Sequence, residues 1–188
     1  MRNMNKELEK FVEYLRMLDI RLDPVTFESR LKLQKLAYIL GELIGKIYLD
    51  FSFYIKGPYS KQLATDYYSK RFLFGKSFPD AVTGEEAGKL KELKTSRISS
   101  LSANELEIVA SLLYLEKNDE FQEDMAVNQL HLLKSYFSID QIIAGLNELK
   151  ELTYLQSNKE KLMKLLKSEM EPWEKASTDD LVKFSKTK

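Results

Sequence analysis

The chain has 188 residues, of which 44% are apolar and 31% are charged, and its formal net charge is zero. This balance predicts a globular protein with one well-cored domain and excludes an intrinsically disordered chain, which needs fewer apolar residues and more net charge. The absence of cysteine excludes disulfides, cysteine-ligated zinc and a cysteine nucleophile. Since no apolar run reaches the roughly 18–20 residues of a membrane span and the charged N-terminus lacks a signal-peptide core, we expect a cytoplasmic protein with no membrane contact.

The charges are distributed unevenly along the chain. Residues 1–75 hold 13 Lys and Arg against 9 Asp and Glu, a surplus of four, whereas residues 102–155 hold 3 against 10, a deficit of seven. Clustered charge orients partners during encounter even when the total cancels. A homodimer in which the two halves meet is compatible with this asymmetry.

Helical periodicity dominates the first part of the chain. The segment KELEKFVEYLRMLDI predicts an amphipathic helix, because its apolar residues recur every three or four positions. A second helix, over about residues 26–46, is predicted to start at a Thr26 or Ser29 cap after Pro24. This second helix is apolar on most faces, which is typical of a helix at the centre of a core. The expected buried face of the first helix is Leu8, Phe11, Val12, Leu15 and Leu18.

A short strand is predicted next, because DFSFYIK alternates with Phe51, Phe53 and Ile55 on one side. The Gly57-Pro58 pair is then expected to reverse the chain. Glycine permits backbone angles closed to other residues, and proline fixes φ and disfavours helical geometry in the residue before it. Ser60 is placed to cap the helix that follows.

Later helices are predicted from their start signals. Thr83 is expected to begin a helix that runs to about residue 98. Ser102 with Glu105 and Ser138 with Gln141 form capping boxes, each followed by an amphipathic pattern. The segment LTYLQ, residues 152–156, is a candidate short strand, and a Lys-rich helix is expected over about residues 157–170.

The predicted fold class is therefore mainly α. Residues 1–98 are expected to form a multi-helix domain with one short strand or hairpin element. Residues 102–170 are expected to form a winged-helix-like helical region, because three helices there are followed by a candidate strand. Residues 171–188 are expected to be a weakly ordered tail.

Signatures of catalysis are missing from the sequence. His131 is the only histidine and has no nearby triad partner, so it is interpreted as a residue at the edge of a helix face. The acidic segment EKNDEFQED lacks the ligand spacing of a calcium loop, and neither GxxxxGK nor GxGxxG occurs. We therefore predict no catalytic residue, no metal and no cofactor, and a protein that is not an enzyme.

The helix-turn-helix pattern of residues 102–155 raises the alternative of a winged-helix DNA-binding transcription regulator. DNA binding requires arginine and lysine at phosphates and base edges. This region instead carries three Lys, no Arg and ten acidic residues. A scaffold used for packing or protein contact is therefore favoured over DNA binding.

Two short motifs carry a resemblance to a known family. LKLQKLAYIL, followed about a dozen residues later by FYIKGPYSKQLATDY, resembles the helix and the Gly-Pro turn of YwgA-like proteins, which are similar to the Panacea superfamily with its SocA- and GepA-like members. The matched part covers about residues 31–68. The first motif is Lys32, Leu33, Gln34, Lys35 and Leu36, and the second is Tyr54, Gly57, Pro58, Tyr59 and Ser60.

The resemblance implies a mostly helical domain that acts through protein contacts. Panacea domains are antitoxins that neutralise varied toxins, and SocA-like members are adaptors that deliver a toxin to a protease. The chain departs from the Panacea pattern at Tyr54, where tryptophan is frequent, and in its longer second half.

The motif pair has two interpretations. In the first, which is favoured, Gln34 and Lys35 need polar partners on a buried helix, and the Gln34 amide anchors the backbone of the Gly-Pro segment as a structural lock. In the second, the lock shapes a binding groove with Tyr54, Tyr59 and either Lys32 or Lys56 at its rim. The predicted function is a non-catalytic interaction or regulatory protein with a protein partner, antitoxin-like or adaptor-like.

Overall fold

A computed structural model describes residues 4–45, 47, 49–118 and 122–155. This part of the chain is mainly helical with one small antiparallel sheet, which confirms the predicted class. The first six helices are α1 Met4–Met17, α2 Phe27–Ile44, α3 Lys61–Ser69, α4 Gly84–Leu93, α5 Ala103–Asn118 and α6 Glu123–Leu133. A seventh, α7, covers residues 139–155. The strands are β1 Ser52–Tyr54 and β2 Gly57–Tyr59, and two short 3-10 turns cover Arg71–Leu73 and Pro79–Ala81.

Helix α2 lies at the centre of the core. Residues 33–40 are buried without interruption, and the helix packs along α5 and against β2, α3 and α4. Burying a leucine or isoleucine side chain contributes roughly 1.5–3 kcal/mol, so a helix that is apolar on most faces is most stable here. The prediction of a central second helix is confirmed, with Thr26 as its cap.

Helix α1 covers this core with the predicted face. All five of its expected core residues are buried, and the helix contacts α4 and the 3-10 turn at Pro79–Ala81. The period of 3.6 residues thus identified the correct side of the helix.

Helix starts follow the predicted capping residues. Thr83 and Glu86 exchange hydrogen bonds with each other's backbone N–H groups at the start of α4. The boxes of Ser102 with Glu105 and Ser138 with Gln141 are also formed. Each cap supplies an acceptor for a backbone donor that the first helical turn leaves unpaired.

Helix α4 is shorter than predicted. It ends at Leu93, not near residue 98, because the chain tightens into turns in which the Ser96 N–H donates to the Leu93 carbonyl at 3.0 Å. The Ser96 hydroxyl donates to the same carbonyl at 2.6 Å. Ile98 and Leu101 then enter the core from a non-helical segment.

The strand element is a hairpin, and the turn lies two residues before the predicted position. Tyr54 pairs with Gly57, so Ile55 and Lys56 form the turn and Pro58 lies within β2. Gly57 has φ of +80°. A left-handed backbone conformation directly after the two-residue turn explains why glycine is needed there. The sequence pattern predicts Ile55 on the same strand face as Phe53. In the structure Ile55 instead lies in the turn at the tip of the hairpin and is 84% exposed.

The candidate strand at residues 152–156 is also corrected. Residues 152–155 are helical and continue α7, because Leu149 and Leu152 are three positions apart and both are buried. Helix α7 packs so closely on α5 that a Cβ atom at Gly145 would lie 2.3 Å from Ile108 Cγ2. Gln156, the predicted Lys-rich helix and the tail lie outside the described residues. Among the residues that are described, no helix is long and apolar enough to cross a bilayer.

Candidate functional site

Gln34 joins helix α2 to the hairpin by two hydrogen bonds. Its Nε2 donates to the Ser60 carbonyl at 3.0 Å, and its Oε1 accepts from the Ser60 N–H at 2.8 Å. The side chain is 2% exposed, so each bond protects a buried amide group that would otherwise lack a partner. The predicted anchoring of this segment by Gln34 is confirmed.

Lys35 makes the second contact from α2. Its Nζ donates to the Pro58 carbonyl at 2.6 Å, and the residue is 1% exposed. Burial lowers the pKa of the Lys35 ammonium to about 7. The carboxylate of Glu107 acts to raise this pKa, and the positive charges of Lys134 and Lys56 act to lower it further. A neutral Lys35 amine can still donate this hydrogen bond.

A buried ion pair makes a further contact with the hairpin. Lys134, in the turn between α6 and α7, lies 2.6 Å from the Oε1 of Glu107 on α5 and donates to the Ile55 carbonyl at 2.8 Å. Both ionic side chains are almost fully buried. Burial lowers the pKa of Lys134, and the bond to Glu107 limits that shift. Two buried lysines therefore bind carbonyls at the two ends of the Ile55–Pro58 segment.

Tyr136 and Lys56 close the cluster towards solvent. The Tyr136 hydroxyl donates to Glu107 Oε1, and burial, with the neighbouring carboxylate, raises the pKa of Tyr136. Lys56 Nζ lies 4.4 Å from the Tyr136 ring centroid and 3.7 Å from Glu107 Oε2. The carboxylate of Glu107 is thus surrounded by two ammonium groups and one phenol.

Gly57 lies where the hairpin contacts α5. A Cβ atom at this position would lie 2.5 Å from Ser111 Oγ and 3.6 Å from Lys35 Nζ. Ser111 is fully buried, and its hydroxyl has no hydrogen-bond partner within the described ranges. Both the close approach and the positive φ therefore require glycine.

The nine residues singled out from the sequence divide into two groups. Most of the motif is buried and anchors the hairpin, namely Gln34, Lys35, Gly57, Pro58 and Ser60.

The remaining four lie towards the surface. Tyr54 and Lys56 are exposed, and the half-buried Tyr59 contacts the Tyr54 ring edge at 5.4 Å between centroids. Lys32 pairs with Glu28 on its own helix at 3.7 Å. Lys32 and Lys56 were the two lysines proposed for the rim of a binding groove, and only Lys56 lies in the hairpin.

Sequence reasoning missed four members of the cluster, and two of them left a signal. Glu107 and Ser111 are four residues apart within a stretch of α5 that is otherwise apolar and wholly buried from residue 106 to 113. Polar side chains in such a stretch need buried partners. Lys134 and Tyr136 left no comparable signal, because a lysine and a tyrosine in a turn are usually exposed.

The other residues considered for catalysis or metal binding have structural roles or lie outside the described residues. The Nδ1–H of His131 donates to the Phe137 carbonyl at 3.1 Å, which ties the end of α6 to the following turn. Asp119 and Glu120 of the acidic segment are not described. Within the described ranges, His, Asp and Glu side chains form no cluster that could hold a metal ion.

The cluster places its charged atoms against backbone carbonyls and against one another. Its chemistry is therefore that of an anchor, which fixes the position of the hairpin on α2 and α5. Comparison of the chain with protein-family models, with curated proteins and with solved structures finds no match.

Replacing Gly57 with alanine is expected to destabilise the fold more than the same change at Gly45. Both glycines have positive φ, but only Gly57 has an atom within 3 Å of the new Cβ. We expect Gly45→Ala to cost about 1 kcal/mol of unfolding free energy from backbone strain. Gly57→Ala should cost about 2–4 kcal/mol, since overpacking against Ser111 is added. Urea unfolding followed by circular dichroism measures both, and equal losses would contradict the close packing of the hairpin on α5.

Lys35 is expected to make stability increase with pH. Because its folded pKa of about 7 is below the unfolded value, the unfolded chain binds more protons between about pH 7 and the ordinary lysine value of about 10.4. The unfolding free energy should therefore rise with pH, with a Lys35 contribution approaching about 1.4 kcal/mol per pH unit.

The measurement compares urea unfolding of the wild type and Lys35→Met at pH 7, 8 and 9. The wild type should gain stability over the variant as pH rises, since methionine cannot titrate. The control is Lys61→Met, an exposed lysine at the start of α3, whose difference from wild type should stay constant. A constant difference for Lys35→Met as well would show that its pKa is not lowered.

Proposed function

We propose that this protein is a non-catalytic interaction or regulatory protein that binds a protein partner through its hairpin surface, defined as Tyr54, Ile55, Lys56, Tyr59 and Tyr136. The observation that carries the proposal is the exposure of Ile55. This aliphatic side chain is 84% exposed at the tip of a hairpin whose backbone is held by buried ionic groups. Burying it against a partner would contribute roughly 1.5–3 kcal/mol.

The neighbours of Ile55 suit a protein interface. Tyr54 and Tyr136 are about half exposed, and the Tyr136 hydroxyl lies 3.5 Å from the Ile55 carbonyl. Tyrosine is enriched at interface hot spots because it offers a large contact area and a polar end. Lys56 adds one positive charge beside them, which favours a partner with a carboxylate at that position.

The anchored backbone of the hairpin supports affinity. The backbone from Ile55 to Ser60 is bound through its carbonyls by Lys134, Lys35 and Gln34. A surface that is already ordered loses less conformational entropy on binding than a flexible loop. The hairpin is therefore suited to recognition by shape.

A binding role explains the polar groups better than a catalytic one. The Gln34 amide oxygen accepts from Ser60, and its nitrogen donates to Ser60 and, at 3.4 Å, to the Tyr67 hydroxyl. The Lys35 ammonium donates to Pro58. A third hypothesis, a hydrolase with a polar pocket near Gln34 and Tyr54, would need these groups to face a substrate. Their structural use supports a protein that binds and does not transform its partner.

The specific form we propose is antitoxin-like or adaptor-like. It rests on the resemblance of residues 31–68 to the YwgA-like and Panacea pattern, whose two motifs are in direct contact here through Gln34 and Ser60. In this form a cytoplasmic partner protein would bind the hairpin surface. The helical second half, proposed to be winged-helix-like, would serve as packing scaffold.

A winged-helix DNA regulator is the alternative proposal, favoured by one observation. Helices α6 and α7 are joined by a short turn, as in a helix-turn-helix. Against it, Lys150 of α7 is paired with Glu123, and Asp140 and Glu151 are exposed.

To test the DNA-regulator alternative, we predict that the protein does not bind duplex DNA, because acidic side chains repel phosphate. A mobility-shift assay at 20 mM salt with a random 30-base-pair duplex measures this. A shift that disappears at 200 mM salt would instead support the DNA regulator.

The central test replaces Ile55 with serine. Tagged wild type, Ile55→Ser and Leu132→Ser are used to capture partners from cells of the source organism, followed by quantitative mass spectrometry. Leu132 is the matched control, since it is an aliphatic residue 77% exposed on α6. We expect at least one protein to be recovered with wild type and Leu132→Ser and to fall at least tenfold with Ile55→Ser.

Both variants change exposed side chains, so their thermal midpoints should stay within a few degrees of wild type, as circular dichroism will check. Equal recovery of every captured protein by all three chains would contradict a binding role for the hairpin surface.

A further inference from the structure

A cleft of about 930 Å³ opens on another part of the molecule. It lies between the end of α1, the loop of residues 19–23 and the segment of residues 71–77. It shares no residue with the hairpin surface. Its volume falls within the 300–1,000 Å³ range that is typical of ligand pockets.

The floor of this cleft is apolar. Val12 and Leu15 of α1 are buried beneath it, and Ile20, Leu22 and Phe74 are half-buried along it. These side chains remain partly accessible because the loop and the 71–77 segment leave a gap over α1. An apolar side chain inserted here would remove that surface from water.

The walls of the cleft carry more positive than negative charge. Four cationic residues line it, namely Arg16, Arg21, Arg71 and Lys76, against the two carboxylates of Asp19 and Asp23. The lining therefore has a formal surplus of two positive charges. A concave surface of one sign attracts ligands of the other.

Two of the arginines are held in fixed orientations. Arg16 Nε donates to Glu13 at 2.9 Å, and Glu13 also accepts from the Phe78 N–H at 2.8 Å. Arg71 binds Asp23 through Nε and Nη2, both at 2.7 Å.

Each of these ion pairs uses Nε and Nη2 of the guanidinium, so the Nη1 atoms of Arg16 and Arg71 lie outside the pairs. A guanidinium that is already oriented loses little freedom when Nη1 binds a further carboxylate. The two ion pairs thus prepare the walls for an acidic ligand.

An exposed aromatic residue lies at the edge of the cleft, and two further exposed residues lie close to its lining in the chain. Phe72 is 64% exposed at its edge, with Lys76 Nζ 5.0 Å from the ring centroid. Arg30 connects two further exposed residues, because it donates to the Val25 carbonyl at 2.6 Å and lies 5.6 Å from the Tyr68 ring centroid. Val25 and Tyr68 are 53% and 70% exposed. Exposed apolar groups combined with arginine are typical of protein interfaces.

We propose that this cleft is a second binding site, which takes an acidic peptide segment with one apolar anchor residue. The anchor side chain packs on Leu15, Ile20 and Phe74, and the flanking carboxylates bind Arg16, Arg21 and Lys76. The rest of the segment continues over Phe72. The apolar floor and the exposed Phe72 favour a peptide over a small anion, which would use the charged walls alone.

The test measures fluorescence anisotropy of three labelled peptides with the full chain at 150 mM salt. The acidic anchored peptide is acetyl-EEFLEE-amide, the second has its anchor replaced (EEGSEE), and the third reverses its charge (KKFLKK). We expect the first to bind at least tenfold more tightly than either of the others. Equal binding of EEGSEE or KKFLKK would overturn the proposal.

Variants locate the binding site. Arg21→Glu with Lys76→Glu should weaken EEFLEE binding at least tenfold. The control, Lys61→Glu with Lys91→Glu, makes the same change of net charge on exposed residues of α3 and α4 outside the cleft. Because charges beyond about 8 Å are screened at this salt concentration, the control should change binding less than threefold. An equal loss in both double variants would overturn the proposal.

Two further measurements separate other occupants. If 10 mM inorganic phosphate abolishes peptide binding, the cleft takes a simple anion and the proposal is wrong. If sedimentation shows a dimer that the Arg21→Glu and Lys76→Glu double variant dissociates, the cleft takes a second copy of the chain and the proposal is also wrong. Ile55→Ser should bind EEFLEE as the wild type does. Failure of the hairpin proposal and failure of this one are therefore distinguishable.

Discussion

The hairpin depends on two ammonium groups that are buried beside a single carboxylate. Lys35 and Lys134 are each about 1% exposed, and Glu107 is the acid that both face. Removing charges from water costs several kcal/mol per ion, and one ion pair cannot offset this cost for two cations. The imbalance is relieved by the backbone carbonyls of Ile55 and Pro58, which accept from the ammonium groups, and by the lowered pKa of Lys35.

This arrangement makes a small element stable. An isolated two-stranded hairpin is marginal in water, and here each strand has only three residues. The hairpin is held because Lys35 from α2 and Lys134 from the turn after α6 donate to its carbonyls, while Glu107 of α5 binds Lys134. The energetic requirement to satisfy buried lysines thus fixes the position of the exposed Ile55. The same contacts therefore stabilise the hairpin and hold Ile55 at the surface.

Local signals in the sequence were sufficient for the starts of these helices. Thr26, Ser60 and Thr83 cap helices where they were expected to, because a cap depends on residues only three positions away. The Gln34 contact could also be predicted, since a polar residue on a buried helix needs a partner and the neighbouring motif offered free backbone groups.

Non-local geometry was not accessible to the same reasoning. Glu107 is 72 positions after Lys35 in the chain, and no spacing rule relates them. The turn was placed at Gly57-Pro58 because glycine and proline usually form turns. In the structure Gly57 is needed after the turn, where positive φ and the Ser111 hydroxyl exclude a side chain. The helical end of α7 was similarly misread, because the aromatic and β-branched residues of LTYLQ favour strands until Leu152 packs into the core.

The division of the motif into buried and exposed residues bears on what it can specify. Gln34, Lys35 and Gly57 cannot change without leaving a carbonyl unpaired or forcing an overlap, so they determine the position of the hairpin. Ile55 and Tyr54 are exposed, and substitutions at such positions usually alter stability by less than about 0.5 kcal/mol. The same anchor can therefore carry different tips at little energetic cost. It follows that the Lys-Leu-Gln-Lys-Leu and Gly-Pro motifs define a scaffold, and that in the proposed binding role the exposed residues between and around them would select the partner.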